Sequence, residues 1–125
     1  MIIQIEPESD VPIYTQLTNQ IIEGIARGYI VPGESLPSVR AFASDLGVNM
    51  HTVNKSYHEL EKKGIIRIIP KSGAVINAPS EMSVYINRLS EEFKPVIAEA
   101  LVLGMADAQI QDLVFEIIQD LLKRS

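Results

Sequence analysis

Apolar residues recur at helical spacing over the first quarter of the chain, after a short β-branched run. Residues 2–5 (Ile-Ile-Gln-Ile) are a candidate strand, and Pro12 is a favoured residue for the first turn of a helix. Gly28 and the Pro32-Gly33 pair predict the end of that helix and a turn after it. The residues spaced four apart that this helix would bury are Ile13, Leu17, Ile21 and Ile25.

Two further helices are predicted next, joined by a turn that contains glycine. Ser38 can cap the first of them, which ends at Gly47. Asn49 can cap the second, residues 50–63, whose buried stripe would be Val53, Tyr57 and Leu60. Two helices joined by such a turn constitute a helix-turn-helix.

Beyond these helices the pattern changes to two β-branched runs around a turn. Residues 65–76 have the sequence Ile-Ile-Arg-Ile-Ile-Pro-Lys-Ser-Gly-Ala-Val-Ile, which predicts a hairpin of the kind called a wing. The stretch after it, Asn77-Ala-Pro-Ser80, is typical of a hinge between domains. We therefore expect a mostly α fold with a small β wing. A winged helix-turn-helix domain would span residues 1–78, and a two-helix dimerisation domain would span residues 79–125.

The last third of the chain is dominated by apolar positions in helical phase. The phase continues from Met82 through Pro95 to Leu103, so we expect one kinked helix rather than two. Asp107 would cap the final helix. Two helices of about 45 residues in all cannot close a core around so much apolar surface, so a homodimer that pools four helices is expected. The predicted dimer contacts are Leu89, Phe93, Ile97, Leu101, Ile110, Leu113, Val114, Ile117 and Leu121.

Composition excludes several classes of protein. Of the 125 residues, 46% are hydrophobic and none is Cys, which excludes disulfide frameworks, thiol nucleophiles and cysteine zinc sites. No apolar run approaches the roughly 18 residues needed to span a bilayer. The N-terminal sequence lacks the basic segment of a signal peptide. We therefore expect a cytoplasmic protein that does not bind the membrane.

Charge is distributed unevenly along the chain. The net charge is −5, yet residues 36–76 carry six Lys and Arg against three Asp and Glu. Residues 80–125 carry four basic against eight acidic residues. Because salt screens charges beyond about 10 Å, a phosphate backbone would respond to the local basic segment rather than to the net charge.

The third predicted helix has a polar, basic face opposite its buried stripe. At 100° per residue, this face contains His51, Lys55, His58 and Lys62. A solvated helix surface is one explanation, and a helix that lies in the DNA major groove is the other. Arg40 on the preceding helix and Lys71 at the wing tip add two further basic residues, which favours DNA.

The stretch LPSVRAFASDLGVNMHTVNKSYHELEKKGII, residues 36–66, resembles the winged helix-turn-helix of the GntR family of bacterial transcription regulators. Residues 12–38 match the first helix and the Pro-Gly loop of that family, and the short two-helix tail is similar to its YtrA subfamily. The resemblance implies a dimeric, sequence-specific regulator, a repressor, with one recognition helix on each half of an inverted-repeat operator. It also implies a role beside transporter genes.

The resemblance implies roles for individual residues as well. The Arg of the family's Leu-Pro-Ser-x-Arg motif matches Arg40, a DNA contact, and Thr52 matches a hydroxyl that meets a phosphate. Lys55 matches the basic residue three positions further on. Met50 stands where many members carry Pro or Arg, and His51 where they carry Asn or Thr.

The family's wing tip, Arg-Gly-x-Gly, corresponds to Pro70-Lys71-Ser72-Gly73, with Lys71 expected on a phosphate. The complete predicted DNA surface is Ser38, Arg40, Asn49, Met50, His51, Thr52, Asn54, Lys55, His58, Lys71 and Gly73.

Enzyme chemistry is not indicated by any motif. The sequence has no Gly-rich phosphate loop, no paired nucleophile and base, and no metal motif. His51 and His58 would be about 10.5 Å apart along a helix, too far to share a metal unaided. No cofactor is therefore expected, and no residue identifies a small-molecule effector. The alternative function is a winged-helix interaction module whose basic face binds an acidic protein.

Overall fold

The computed structural model describes residues 2–123, and the chain divides into two compact units, Met1–Pro79 and Ser80–Ser125. The second unit contains α4 (Met82–Val102) and α5 (Asp107–Leu122). The first contains, in chain order, α1 (Ile13–Ala26), β1 (Ser35–Leu36), α2 (Val39–Leu46), α3 (Met50–Lys62), β2 (Ile66–Ile69) and β3 (Gly73–Ile76). A winged helix-turn-helix followed by two helices confirms the predicted fold class.

The core of the first unit lies between its three helices and the sheet. The predicted stripe of α3 is confirmed, because Val53, Tyr57 and Leu60 are fully buried. On α1 the burial is narrower than expected: Leu17 and Ile21 are buried, whereas Ile13 and Ile25 are only half-buried. Helix α2, the sheet and the loop after α1 complete the core with Ile30, Leu36, Phe42, Ala43, Ile66, Ala74 and Ile76.

A buried pair of hydroxyls joins α1 to α3, which the apolar pattern did not indicate. The Thr18 hydroxyl donates to the Tyr14 carbonyl oxygen at 2.7 Å and lies 2.8 Å from the Ser56 hydroxyl oxygen. A threonine hydroxyl carries one proton, so Ser56 is the donor to Thr18. Leaving such a buried group without a partner would cost about 1–3 kcal/mol, so the pair favours one register between the two helices.

The wing is part of an antiparallel sheet of three strands in the order β1-β3-β2. The predicted hairpin is confirmed, with Ile66 opposite Ile76 and Ile69 opposite Gly73. The two-residue β1 pairs with β3 and was not predicted. Gly73 is required at this place, because a Cβ there would lie 2.2 Å from the Leu36 carbonyl oxygen.

Residues 2–5 do not form the predicted strand. Two glutamine side chains of α1 take the place of a neighbouring strand. The Gln4 backbone N–H donates to Gln20 Oε1 at 2.8 Å, and the Glu6 N–H donates to Gln16 Oε1 at 2.8 Å. Each glutamine returns a bond from its Nε2 to the carbonyl oxygen of the same residue. Because these amides satisfy the backbone, the segment packs on α1 without pairing with the sheet.

The two helices of the second unit differ from expectation in one detail. As expected, α4 continues as one helix through Pro95. Asp107, however, is the first residue of α5 rather than its cap, and its carboxylate accepts a bond from the Ala108 N–H at 2.8 Å. The cap position is Ala106, whose own N–H donates to Gln109 Oε1 at 2.8 Å. A glutamine three residues into the helix thus satisfies the cap residue.

Candidate nucleic-acid interface

Side-chain caps set the start of both helices of the helix-turn-helix. The Ala41 N–H donates to the Ser38 hydroxyl oxygen at 3.1 Å, and the His51 N–H donates to Asn49 Oδ1 at 2.7 Å. Gly47 makes the turn between the helices with a φ of +69°. Both predicted caps are therefore confirmed, and the first two residues of α3, Met50 and His51, are exposed beyond the cap.

Tyr57 fixes the segment before α2 against α3. Its hydroxyl donates to the Pro37 carbonyl oxygen at 2.7 Å, and its ring centroid lies 6.2 Å from that of Phe42. Burial raises the pKa of the Tyr57 phenol, so the group stays protonated and remains a donor at physiological pH. This bond holds the Leu36–Arg40 motif at a defined position beside α3.

A groove of about 650 Å³ lies between α2, the first turns of α3 and the wing. We call it the wing groove. The predicted DNA residues that line it are Ser38, Arg40, Met50, His51, Asn54, Lys71 and Gly73. It also contains apolar residues that were not predicted, namely Val39, Ile68, Ile69 and Pro70. One concave surface thus combines cations with polar and apolar side chains; in protein–DNA complexes generally, cations contact phosphates and the other two kinds of side chain contact base edges.

A second cavity, of about 390 Å³, lies on the other side of His51, where α3 meets the start of α1. We call it the α1 pocket, and it is lined by Ile13, Tyr14, His51, Thr52 and Lys55. The Lys55 ammonium lies 4.0 Å from the centre of the Tyr14 ring, a cation–π contact. Thr52 and Lys55 are therefore brought together with each other, but Lys55 does not line the wing groove.

Two predicted residues line neither cavity. Asn49 uses its side-chain oxygen to cap α3. His58 is exposed further along α3, and its Nδ1 lies 2.8 Å from the Asn54 carbonyl oxygen. A carbonyl can only accept, so Nδ1 carries the proton and Nε2 is the acceptor of the neutral ring. The contacts of both residues with DNA stay predictions.

The wing tip holds its lysine in an unusual conformation. Lys71 has a φ of +68°, and the Ser72 N–H donates to the Ile69 carbonyl oxygen at 2.9 Å. Pro70 followed by a residue with positive φ is the arrangement of a type II turn, in which the second of the two central residues, here Lys71, is commonly glycine. The turn therefore presents an exposed cation at a position where a side chain costs about 1–2 kcal/mol.

Comparison with known proteins identifies the family. Residues 13–76 match the family of bacterial regulatory proteins called gntR. The chain is 34% identical over 121 residues to the HTH-type transcriptional repressor YtrA of Bacillus subtilis (strain 168), covering 94% of this chain and 93% of that protein. The chain belongs to the GntR family. Its resemblance to the YtrA subfamily is confirmed as well.

Solved structures agree with this assignment. YtrA from Sulfolobus acidocaldarius, a GntR-family transcription factor, is 37% identical and covers 94% of this chain and 97% of its own, with a TM-score of 0.65. A structure named as a transcriptional antiterminator from Listeria monocytogenes EGD-e is 30% identical, with a TM-score of 0.86 over 100% of this chain and 96% of its own. This GntR-family protein is a DNA-binding transcription regulator and not an enzyme.

The second unit of the regulator presents apolar side chains to solvent on both helices. Within the described part, no residue of α4 or α5 is buried. Among the predicted dimer contacts, Phe93 is 58% exposed and Ile117 is 51% exposed, whereas Leu89, Ile110 and Leu121 are half-buried. An open apolar groove of about 560 Å³ along α4 is lined by Ile86, Leu89, Ser90, Phe93, Lys94, Ile97, Ala98 and Leu101. We call the exposed apolar residues of α4 and α5 the tail surface.

Residues 2–123 contain neither a membrane-spanning helix nor a cluster of metal ligands. Within that range, no helix is both long enough and apolar enough to cross a bilayer. The same residues contain no group of three or more His, Asp and Glu side chains placed to hold a metal ion.

Proposed function

We propose that this regulator is a sequence-specific repressor that binds an inverted-repeat operator as a homodimer. The observation that carries the proposal is the wing groove, which places Arg40, His51 and Lys71 around the exposed start of α3. A groove between a helix start and a wing has the shape and charge to receive one DNA strand while α3 enters the major groove. Family membership favours DNA over the alternative acidic protein partner.

Within this interface we assign base contacts and phosphate contacts to different residues. Met50, His51 and Asn54 lie on the first two turns of α3 and line the wing groove, so we assign them to base edges. Arg40 and Lys71 lie off α3, which favours phosphate contacts for both. The flexible ammonium of Lys55, on the exposed side of α3, can by its chemistry reach either a phosphate or a base edge.

The position of Lys55 supports a phosphate contact. Its ammonium lies over Tyr14 on the α1 side of α3, next to Thr52 and away from the wing groove. A lysine ammonium is a compact point charge with no planar donor pair, so it suits phosphate oxygens well. We therefore propose that Lys55 and Thr52 share one phosphate of the operator backbone.

The tail surface supports the homodimer. Exposed apolar patches of this extent on a small chain mark an interface, and a second copy of α4 and α5 would complete a four-helix arrangement. The two recognition helices would then meet half-sites about 34 Å apart, one turn of DNA. The repressor role is supported by the similarity to the Bacillus relative, which is a transcriptional repressor. The resemblance to the YtrA subfamily adds the proposal that the regulated genes form a transporter operon. We also propose that the protein acts in the cytoplasm.

Titration of single variants against two duplexes tests the assignment. An operator duplex selected from a random pool is compared with a random duplex at several salt concentrations. Arg40→Ala and Lys71→Ala should weaken binding to both duplexes and lower the salt slope by about one per contact. His51→Ala should instead reduce the preference for operator by about 1–3 kcal/mol.

Arg67→Ala is the matched control for loss of a cation. Arg67 is exposed on β2, and, unlike Ile68 and Ile69 of the same strand, it does not line the wing groove. The control should bind like the parent protein. If His51→Ala keeps the preference for operator while Arg40→Ala lowers it, then α2 rather than α3 selects the sequence.

A further inference from the structure

Tyr14 lies on α1, outside the helix-turn-helix and outside the predicted DNA surface, yet it contacts a residue of that surface. Its ring lies 4.0 Å from the Lys55 ammonium, and both residues line the α1 pocket with Thr52. Lysine has a long stem with several rotatable bonds, so in the absence of a partner its charge would be distributed over many positions. The contact with the ring favours one of them.

The backbone of Tyr14 is itself fixed against α3. Its carbonyl oxygen accepts the Thr18 hydroxyl at 2.7 Å, and Thr18 accepts the buried hydroxyl of Ser56, the residue after Lys55. Tyr14 and Lys55 are thus attached to neighbouring points of one buried hydrogen-bonded connection between α1 and α3. The contact between them is therefore determined by helix packing rather than by a chance rotamer at the surface.

We propose that Tyr14 is a positioning residue of the DNA interface, whose ring holds the Lys55 ammonium beside Thr52 for a phosphate of the operator. This rests on the proposed contact between Lys55 and DNA. An ammonium has three N–H donors and the ring covers only one side of it, so the remaining donors can reach phosphate oxygens. Ordering the side chain before DNA arrives removes part of the entropic cost of binding.

A double-mutant cycle tests the proposal. Cation–π contacts at partly exposed sites are weak, so Tyr14→Leu should reduce affinity for operator and for random DNA by about two- to five-fold. The salt slope should not change, because Lys55 still supplies its charge. Tyr14→Phe keeps the ring and should bind like the parent protein. In a Lys55→Gln background, Tyr14→Leu should have no further effect.

Two controls separate this role from a structural one. Tyr29 is 54% exposed and lines neither the wing groove nor the α1 pocket, so Tyr29→Leu should leave DNA affinity unchanged. Thermal melts of each variant report its folding. If Tyr14→Leu lowers the Tm, Tyr14→Met replaces it, because Met retains apolar volume without a ring.

Three results would overturn the proposal. An equal loss from Tyr14→Leu in the Lys55→Gln background would mean that Tyr14 does not act through Lys55. A gain in affinity would mean that the ring withholds the ammonium from DNA. If Lys55→Gln alone has no effect, then the Lys55 contact is wrong and the role of Tyr14 fails with it. In that case the results for Arg40, His51 and Lys71 still decide whether the wing groove binds DNA.

Discussion

The two units of this regulator differ in how much of their apolar surface they bury. Among its described residues, the first unit buries twelve apolar residues, several of them without any exposed surface. In the second, within the described residues, neither α4 nor α5 buries a single side chain. Both sequences are rich in apolar residues at helical spacing, so the difference arises from the number of layers. Three helices and a sheet can close around a core, whereas two helices cannot.

This difference assigns the two units different sources of stability. The first unit is stabilised by apolar surface that it buries within one chain. The second unit gains such stabilisation only when another surface covers its apolar residues. Charge supports the same division, because residues 80–125 carry four basic against eight acidic residues and would repel a phosphate backbone. We infer that the first unit binds DNA and that the second unit mediates dimerisation.

The largest effect is expected from charges placed on the tail surface. The triple variant Leu113→Asp, Ile117→Asp and Leu121→Asp would bury unpaired carboxylates in a dimer, which is strongly disfavoured. In a single chain these residues are exposed or half-buried, so the first unit should keep its Tm. The variant should sediment as a monomer, and operator affinity should fall by orders of magnitude because the two half-site contacts become independent.

Gln119→Asp is the control for added charge on the same helix. At 100° per residue, Gln119 lies on the side of α5 opposite these three residues, so the change should leave the protein dimeric. A triple variant that still sediments as a dimer would show that the interface lies elsewhere than on this face of α5.

A matched pair of leucine truncations compares the two units directly. Leu60 is fully buried in the first unit, and Leu60→Ala should lower the free energy of unfolding by about 2–5 kcal/mol. Leu101 is 52% exposed in the second unit, and Leu101→Ala should not change the unfolding of the first unit. It should weaken dimerisation by about ten-fold, because both copies lose apolar area. Denaturant melts and sedimentation measure the two effects, and equal destabilisation by both would contradict the division.

Substitutions at two glycines of the first unit distinguish the cost of a steric clash from the cost of a positive φ. Gly73 and Gly33 both have positive φ, at +105° and +91°. A Cβ on Gly73 would lie 2.2 Å from the Leu36 carbonyl oxygen, whereas a Cβ on Gly33 would meet nothing within 4 Å. Gly73→Ala should therefore cost about 1–3 kcal/mol more than Gly33→Ala, because the strands must separate. Thermal melts measure the difference. Equal losses of stability in the two variants would mean that β1 can move away from residue 73 at no cost in free energy.

Much of this fold follows from local chemistry in the sequence. The stripe of α3, the caps Ser38 and Asn49 and the hairpin depend on residues within one or two turns of each other, so their patterns are visible without a structure. The wing groove follows in turn, because the helix-turn-helix and the wing bring Arg40 and Lys71 to the start of α3.

The features that were missed depend on residues far apart in the chain. Residues 2–5 have the composition of a strand, but Gln16 and Gln20 supply their hydrogen bonds instead. The two-residue β1 exists only because β3 lies beside it. The contact between Tyr14 and Lys55 also requires α1 and α3 to be packed together. The available signal was an aromatic residue next to the buried stripe of the first helix, which by itself does not identify its partner.

The smallest effect is expected at Lys71, where it tests whether the wing tip of the first unit carries backbone strain at a residue of the proposed DNA surface. Lys71 has a φ of +68°, so Lys71→Gly should remove strain of about 1–2 kcal/mol, of which about 0.5–1 kcal/mol is returned as extra entropy of the unfolded chain. Lys71→Ala keeps the strain and is the control. The salt slope of DNA binding should fall by about one in both variants, since both lose the cation. Only the glycine variant should raise the Tm, by a few degrees. A glycine variant no more stable than the alanine variant would show that the turn imposes no strain on Lys71.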